Sequence, residues 1–408
     1  MRDQYVITPF DDGNETQQVK DNLVLDMVTL FEDYDEDMLF LTRDIDELNE
    51  RKVFLEGVAA YLGKDIHTSA EELLTEVKSR YKEKGITLTR TVKTWFQKED
   101  TSPSTDQAYR RNLYDFCIAM GMDYRTTAQF FLKVFLTIPF NYKDRDDAVY
   151  FYCLKEGRPY PIVKQMLEVA DSYEATNASV AFTEEIGLHI LDIHSDEEFL
   201  EYLHNHCYDR KHQYTTAKAK LRYLVAENKR IMPTPMPEEL DSKTGKTKSK
   251  KKLDTNSRKK NPEARNNRAL LDEILGYPYQ SLDSNQRLAM RKCGLPTLPR
   301  DGDIDKAISN ENDVSFDVLR RSLILMKFYN FYRNRQIQTK QLSMETDEII
   351  DCLDDFRYEI NLELAECGFV QLYFRNPFDW IILFCANSRN PIYYLQDFIE
   401  KRYLGNLK

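Results

Sequence analysis

The chain contains no run of eighteen apolar residues, so no stretch of it is long enough to cross a bilayer as a helix. Its start, Met1-Arg2-Asp3-Gln4, lacks the basic-then-apolar layout of a secretory leader. Glycine and proline are scarce, 13 and 14 of 408 residues, which suits long helices better than a turn-rich sheet protein. No glycine-rich phosphate loop, nucleophile elbow or Cys-x-x-Cys pair occurs. Catalytic residues and cofactors are therefore not expected, and the chain is not read as an enzyme. The seven cysteines are odd in number, and Cys117, Cys153, Cys352 and Cys385 sit inside apolar patterns, as reduced thiols do. Together these absences lead to the expectation of a cytoplasmic, soluble protein with no membrane partner.

One group could hold a metal: His189, His194, His204, His206, Cys207 and His212. The pairs His189/His194 and His204/His206 are five and two residues apart, which turns each pair to different helix faces. No metal is expected there.

What is present is a hydrophobic content of 42% and an aromatic content of 12%, enough for sizeable cores. The net charge of −11 hides a partition. Residues 1–50 hold fifteen acids and three bases, whereas residues 78–111 hold nine bases and four acids. Residues 243–268 hold eleven bases and two acids. Screening confines each field to about 10 Å, so an acidic protein can still attract phosphate at its basic patches.

Residues 69–135 suggest a task. Ser69-Ala70-Glu71-Glu72 has the form of a capping box, and Leu73, Leu74, Val77 and Tyr81 make the apolar stripe of the helix that follows. Gly85 ends it. Wound as a helix, Leu88–Gln97 places Leu88, Val92, Trp95 and Phe96 on one face and Arg90, Lys93, Thr94 and Gln97 on the other. A helix docked in this way presents the side chains that major-groove reading needs. The even spacing of Ile86, Leu88, Val92 and Phe96 among threonines also fits an edge strand. Helices near Tyr109–Met120 and Arg125–Leu136 follow, separated by Gly121 and Asp123 as cap residues.

The run Thr91-Val92-Lys93-Thr94-Trp95-Phe96 is followed by a polar loop with Pro103-Ser104, and then by Leu113-Tyr114-Asp115-Phe116-Cys117-Ile118-Ala119-Met120-Gly121-Met122-Asp123. Over about seventy residues this resembles the helix-turn-helix domain of the phage-repressor type. The resemblance implies double-stranded DNA as partner. Arg90, Lys93, Thr94 and Gln97 would then face the groove, with Lys78, Lys82, Arg110 and Arg111 near phosphates.

The rest of the chain reads as helices. Four segments are expected: residues 1–136, an acidic helical arm plus the helix-turn-helix domain; 137–231, a helical middle; 232–267, a basic Pro/Lys-rich linker; and 268–408, a carboxyl-terminal helical bundle. In the last, Ser315–Tyr332 is apolar around most of its circumference and is expected to be core. Arg320, Arg321, Arg333 and Arg335 leave a second DNA-reading unit open there. Asn376-Pro377-Phe378-Asp379 sets up a helix start with an acid at its third position, before the all-apolar hub 380–385. The expected fold class is all-α and multi-domain. The leading functional expectation is a DNA-binding transcriptional regulator. The rival is a helical protein-interaction adaptor or inhibitor with an acidic, nucleic-acid-mimicking surface, and a homodimer is open in either case.

Overall fold

Helix after helix in this chain starts on a residue able to accept the free amides of a first turn. Thr89, Asp123, Asp144 and Asn390 each receive the amide three residues on, and Ser69 receives that of Glu72. In the computed structural model the described residues are 53–97, 103, 107–135, 137–142, 144–173, 183–206, 215–233, 267–276, 301–309, 314, 316–372 and 376–401. Of these, 77% are helical and none forms a strand, so the fold is all-α. The arm at 1–52, most of the linker at 232–267 and residues 277–300 lie outside the described residues.

The chain divides into two compact units: Met1–Thr216 with Ser315–Asp317 and Asn361–Pro377, and Ala217–Val314 with Val318–Ile360 and Phe378–Lys408. In the first, the helices are α1 (Val53–Tyr61), α2 (Ala70–Glu83), α3 (Arg90–Trp95), α4 (Gln107–Met120) and α5 (Tyr124–Phe130). A π-turn at Phe131–Phe135 extends α5, followed by α6 (Arg145–Glu156), α7 (Tyr160–Asp171), α8 (Thr183–Asp192) and α9 (Asp196–His206). One continuous core runs through all of them, from Phe54 to Leu203. Tyr114 lies at its centre, stacked on Phe131 at 4.7 Å and on Tyr150 at 4.5 Å between ring centroids.

The remaining helices are α10 (Thr215–Ile231), α11 (Asn267–Leu275), α12 (Asp301–Ser309), α13 (Phe316–Thr339), α14 (Thr346–Glu366), α15 (Pro377–Ala386) and α16 (Pro391–Ile399). The second unit is built on α13, whose Leu319, Leu323, Ile324, Leu325, Met326, Phe328, Tyr329 and Tyr332 are all buried. Asn228 of α10 donates to the Met326 carbonyl at 2.8 Å, and the Tyr332 hydroxyl donates to that of Ala386 at 3.1 Å. Asp379 does more than favour its helix start. It is fully buried and takes both guanidinium nitrogens of Arg320, at 2.7 and 2.8 Å. That pairing makes Arg320 a core residue and removes it from the set left open for a second DNA-reading unit.

Candidate nucleic-acid interface

The segment after Gly85 is helical, which rules out the edge strand, but its helix is shorter than expected: Arg90–Trp95 rather than Leu88–Gln97. Thr89 sets the start. Its hydroxyl oxygen accepts from the Val92 amide at 3.3 Å, and its hydroxyl donates to Asn112 Oδ1 of α4 at 3.0 Å. Phe96 closes the helix: its amide donates to the Lys93 carbonyl and the Gln97 amide to that of Thr94. Six residues cannot hold a helix in water by propagation alone, so packing holds this one. Val92, Trp95 and Phe96 are buried. Phe54 of α1 meets Trp95 edge-on at 5.6 Å and Phe96 at 5.2 Å, while Phe116 of α4 meets Trp95 from another side at 6.0 Å.

With the tryptophan tucked in, Arg90, Lys93 and Gln97 are exposed. Thr94 is half-buried and its hydroxyl donates to the Thr91 carbonyl at 2.6 Å, so it is the weakest of the four groove candidates. No acid stands in the first turn of α3, and Arg90 occupies the end where the helix dipole disfavours a cation. Folding thus gives no reason for an arginine at that position. Lys78 and Lys82 of α2 are exposed one turn apart.

Arg110 and Arg111 lie elsewhere. Arg110, expected near phosphates, is only 3% exposed. Its Nη2 and Nε donate to Asp147 at 2.6 and 3.1 Å, and Nη2 also reaches the Tyr114 hydroxyl and the Ile138 carbonyl. A guanidinium enclosed in this way does not meet a phosphate, and that expectation is corrected. Arg111 is half-buried and forks onto Asp146 at 2.6 and 2.7 Å, with Asp171 at 2.9 Å. Hydrogen bonding to Asp146, and then to Asp171, raises its affinity for its proton against the opposing effect of burial. Two carboxylates already answer its charge, so it too falls out of the phosphate set.

Reading along the chain missed the partners of these arginines, Asp146 and Asp147 at the start of α6. The available signal was the acid-rich start Asp144-Arg145-Asp146-Asp147, some thirty-five residues after an Arg-Arg pair. Burial, reinforced by the neighbouring Asp147 and Asp146, pushes the Asp144 carboxyl up to about 7. Burial also lifts Asp115 to about 6, although the hydroxyls of Tyr150 and Tyr160 donate to it at 2.7 and 3.1 Å and favour its charged form.

Other candidates stay apart. His189 and His206 each stack on Tyr202, at 4.4 and 4.2 Å, as an aromatic cluster rather than a chelate. Among the described residues no group of His, Cys, Asp and Glu is placed to hold a metal ion. Cys207 and His212 lie outside them. The described cysteines Cys117, Cys153, Cys352, Cys367 and Cys385 are buried and are not joined in disulfides. Among the described residues no helix is long and apolar enough to cross a membrane. No protein-family model matches the chain, and no curated protein or solved structure matches it either.

Proposed function

We propose that this protein is a DNA-binding regulator that lays α3 into the major groove. The observation that carries this reading is the division of α3, with the turn Phe96-Gln97 that closes it, into two sides. Val92, Trp95 and Phe96 are fixed in the core, while Arg90, Lys93 and Gln97 stand in solvent with no acid in the helix's first turn. Arginine and glutamine read guanine and adenine edges respectively, and Lys93 adds a charge toward the backbone. Lys78 and Lys82 serve as phosphate contacts. The proposed surface therefore consists of Arg90, Lys93, Gln97, Lys78 and Lys82, with Thr94 as a minor member. The test is a gel-shift titration of the full chain against random duplexes at two salt concentrations. Binding that weakens as salt rises supports the reading, and no binding at low salt defeats it.

A second reading, a protein-interaction adaptor or inhibitor, is favoured by a different observation. Helix α14 exposes Asp351, Asp354 and Asp355 around Tyr358, an acidic and partly apolar surface suited to a basic protein partner. Capture of such a partner by a chain that does not bind duplex would support it.

A further inference from the structure

The outer face of α14 is built unlike an ordinary solvated helix face. Ile349, Cys352, Phe356 and Ile360 hold its inner side in the core. On the outer side, Asp347, Ile350, Asp351, Asp354, Asp355 and Tyr358 fall within an arc of roughly 140° on a 3.6-residue helix. Tyr358 is 72% exposed and Ile350 43%. Asp354 pairs with its own neighbour Arg357, whereas Asp347, Asp351 and Asp355 make no ion pair among the described residues. The result is an aromatic ring and an aliphatic chain set among carboxylates one turn apart. Such a surface matches lysines that carry an occasional apolar side chain, because an ammonium gains from both a carboxylate and an aromatic face.

The same compact unit supplies a segment of that composition. Residues 243–260 include Lys246, Lys248, Lys250-Lys251-Lys252, Leu253 and Arg258-Lys259-Lys260, with Asp254 as their only acid. The segment lies between Pro233 and Asn267, both of which belong to the unit that also holds residues 346–360 of α14. From Pro233 to Lys246 the chain can extend about 45 Å at ~3.4 Å per residue. A unit of roughly 170 residues has a radius of gyration of about 16 Å; the Ile231 carbonyl, just before Pro233, accepts from Arg333 of α13, and Arg335 of α13 pairs with Glu348 of α14, so the outer face of α14 is within reach. Single exposed ion pairs are weak and screened by salt, but tethering raises the effective concentration to about the millimolar range.

We propose that the acidic, tyrosine-bearing face of α14 is the docking site of the chain's own basic segment, residues 243–260. Docked there, the lysines are withheld from other polyanions, and rising ionic strength or a competing polyanion releases them. This inference does not depend on α3 reading DNA.

The test is carbodiimide cross-linking of the full-length protein, which joins a lysine amine to a carboxylate it touches, followed by peptide mapping. A mixture of light and isotope-labelled protein separates links within a chain from links between chains. At low salt we expect links within a chain from residues 243–260 to Asp347, Asp351, Asp354 or Asp355, with yields falling at least fivefold at 0.5 M salt. The variant Lys250→Gln/Lys251→Gln/Lys252→Gln, altered only outside the described helices, should lose most of these links while its unfolding temperature is unchanged. Three results would overturn the proposal: no links from the segment at low salt, links only to acids outside α14, or links only between isotopically distinct chains. The last would assign the face to a second copy.

Discussion

Replacing Asp147 by alanine should damage this protein more than almost any other single change at a polar residue. Asp147 is fully buried, accepts two bonds from Arg110 at 2.6 and 3.1 Å, and takes the Asn141 amide at 2.8 Å. Alanine leaves a guanidinium that is almost wholly enclosed without the carboxylate that takes two of its bonds, while the Tyr114 hydroxyl and the Ile138 carbonyl stay in place. Breaking one side of a buried pair costs about 3–5 kcal/mol, because the survivor keeps its desolvation penalty without its partner. For a unit of this size that corresponds to roughly 6–20 °C in unfolding temperature. The double variant Arg110→Met/Asp147→Leu removes both charges at similar volume and should recover most of the loss, since such replacements are often neutral or stabilising. The assay is scanning calorimetry of the wild type, both single variants and the double variant, read as a double-mutant cycle. A cost below about 1 kcal/mol for Asp147→Ala, or simple additivity in the cycle, would refute the assignment of Arg110 to the core.

Three further expectations follow from particular contacts. Asp144 has a folded-state pKa of about 7, above its unfolded value near 4, so the stability it contributes is full below about pH 4 and lost as pH rises through 7. Asp144→Asn keeps an oxygen to cap the Asp147 amide and should flatten that loss, raising stability above pH 7 by an amount visible in denaturant titrations at pH 5 and 8. Gly57→Ala places a methyl 2.8 Å from Val134 Cγ1 and nearer still to Cγ2, an overpacking cost of about 1–3 kcal/mol that chemical denaturation will report. Thr89→Ala removes the cap of α3 and its bond to Asn112, and should cost about 1–2 kcal/mol while speeding amide exchange at Val92; unchanged exchange would count against the cap.

What could be read from the sequence was local. Ser69 and Asp123 announced their helices, because a capping side chain acts within three residues of itself. The apolar stripe of α2 and the all-round burial of α13 followed from helical periodicity. Even locally the capping box at Ser69 was only half realised: Ser69 takes the Glu72 amide, but the Glu72 carboxylate turns to Lys64 at 2.6 Å. Arg110 was misjudged, and the partner of Asp379 missed, for one reason. Their partners, Asp147 and Arg320, are thirty-seven and fifty-nine residues away in the chain, and an ion pair that closes only on folding leaves no periodic trace. The inward turn of Trp95 was readable from spacing, whereas the six-residue length of α3 depended on which threonine capped it.

The most direct test of groove recognition is the salt dependence of duplex binding by Arg90→Ala/Lys93→Ala beside the wild type. If those two exposed cations meet phosphates or base edges, the double variant should bind at least tenfold more weakly. The slope of log affinity against log salt should then fall in magnitude by about 1–2, with unfolding temperature unchanged because neither side chain packs in the core. An affinity and a slope equal to those of the wild type would contradict the role proposed for α3.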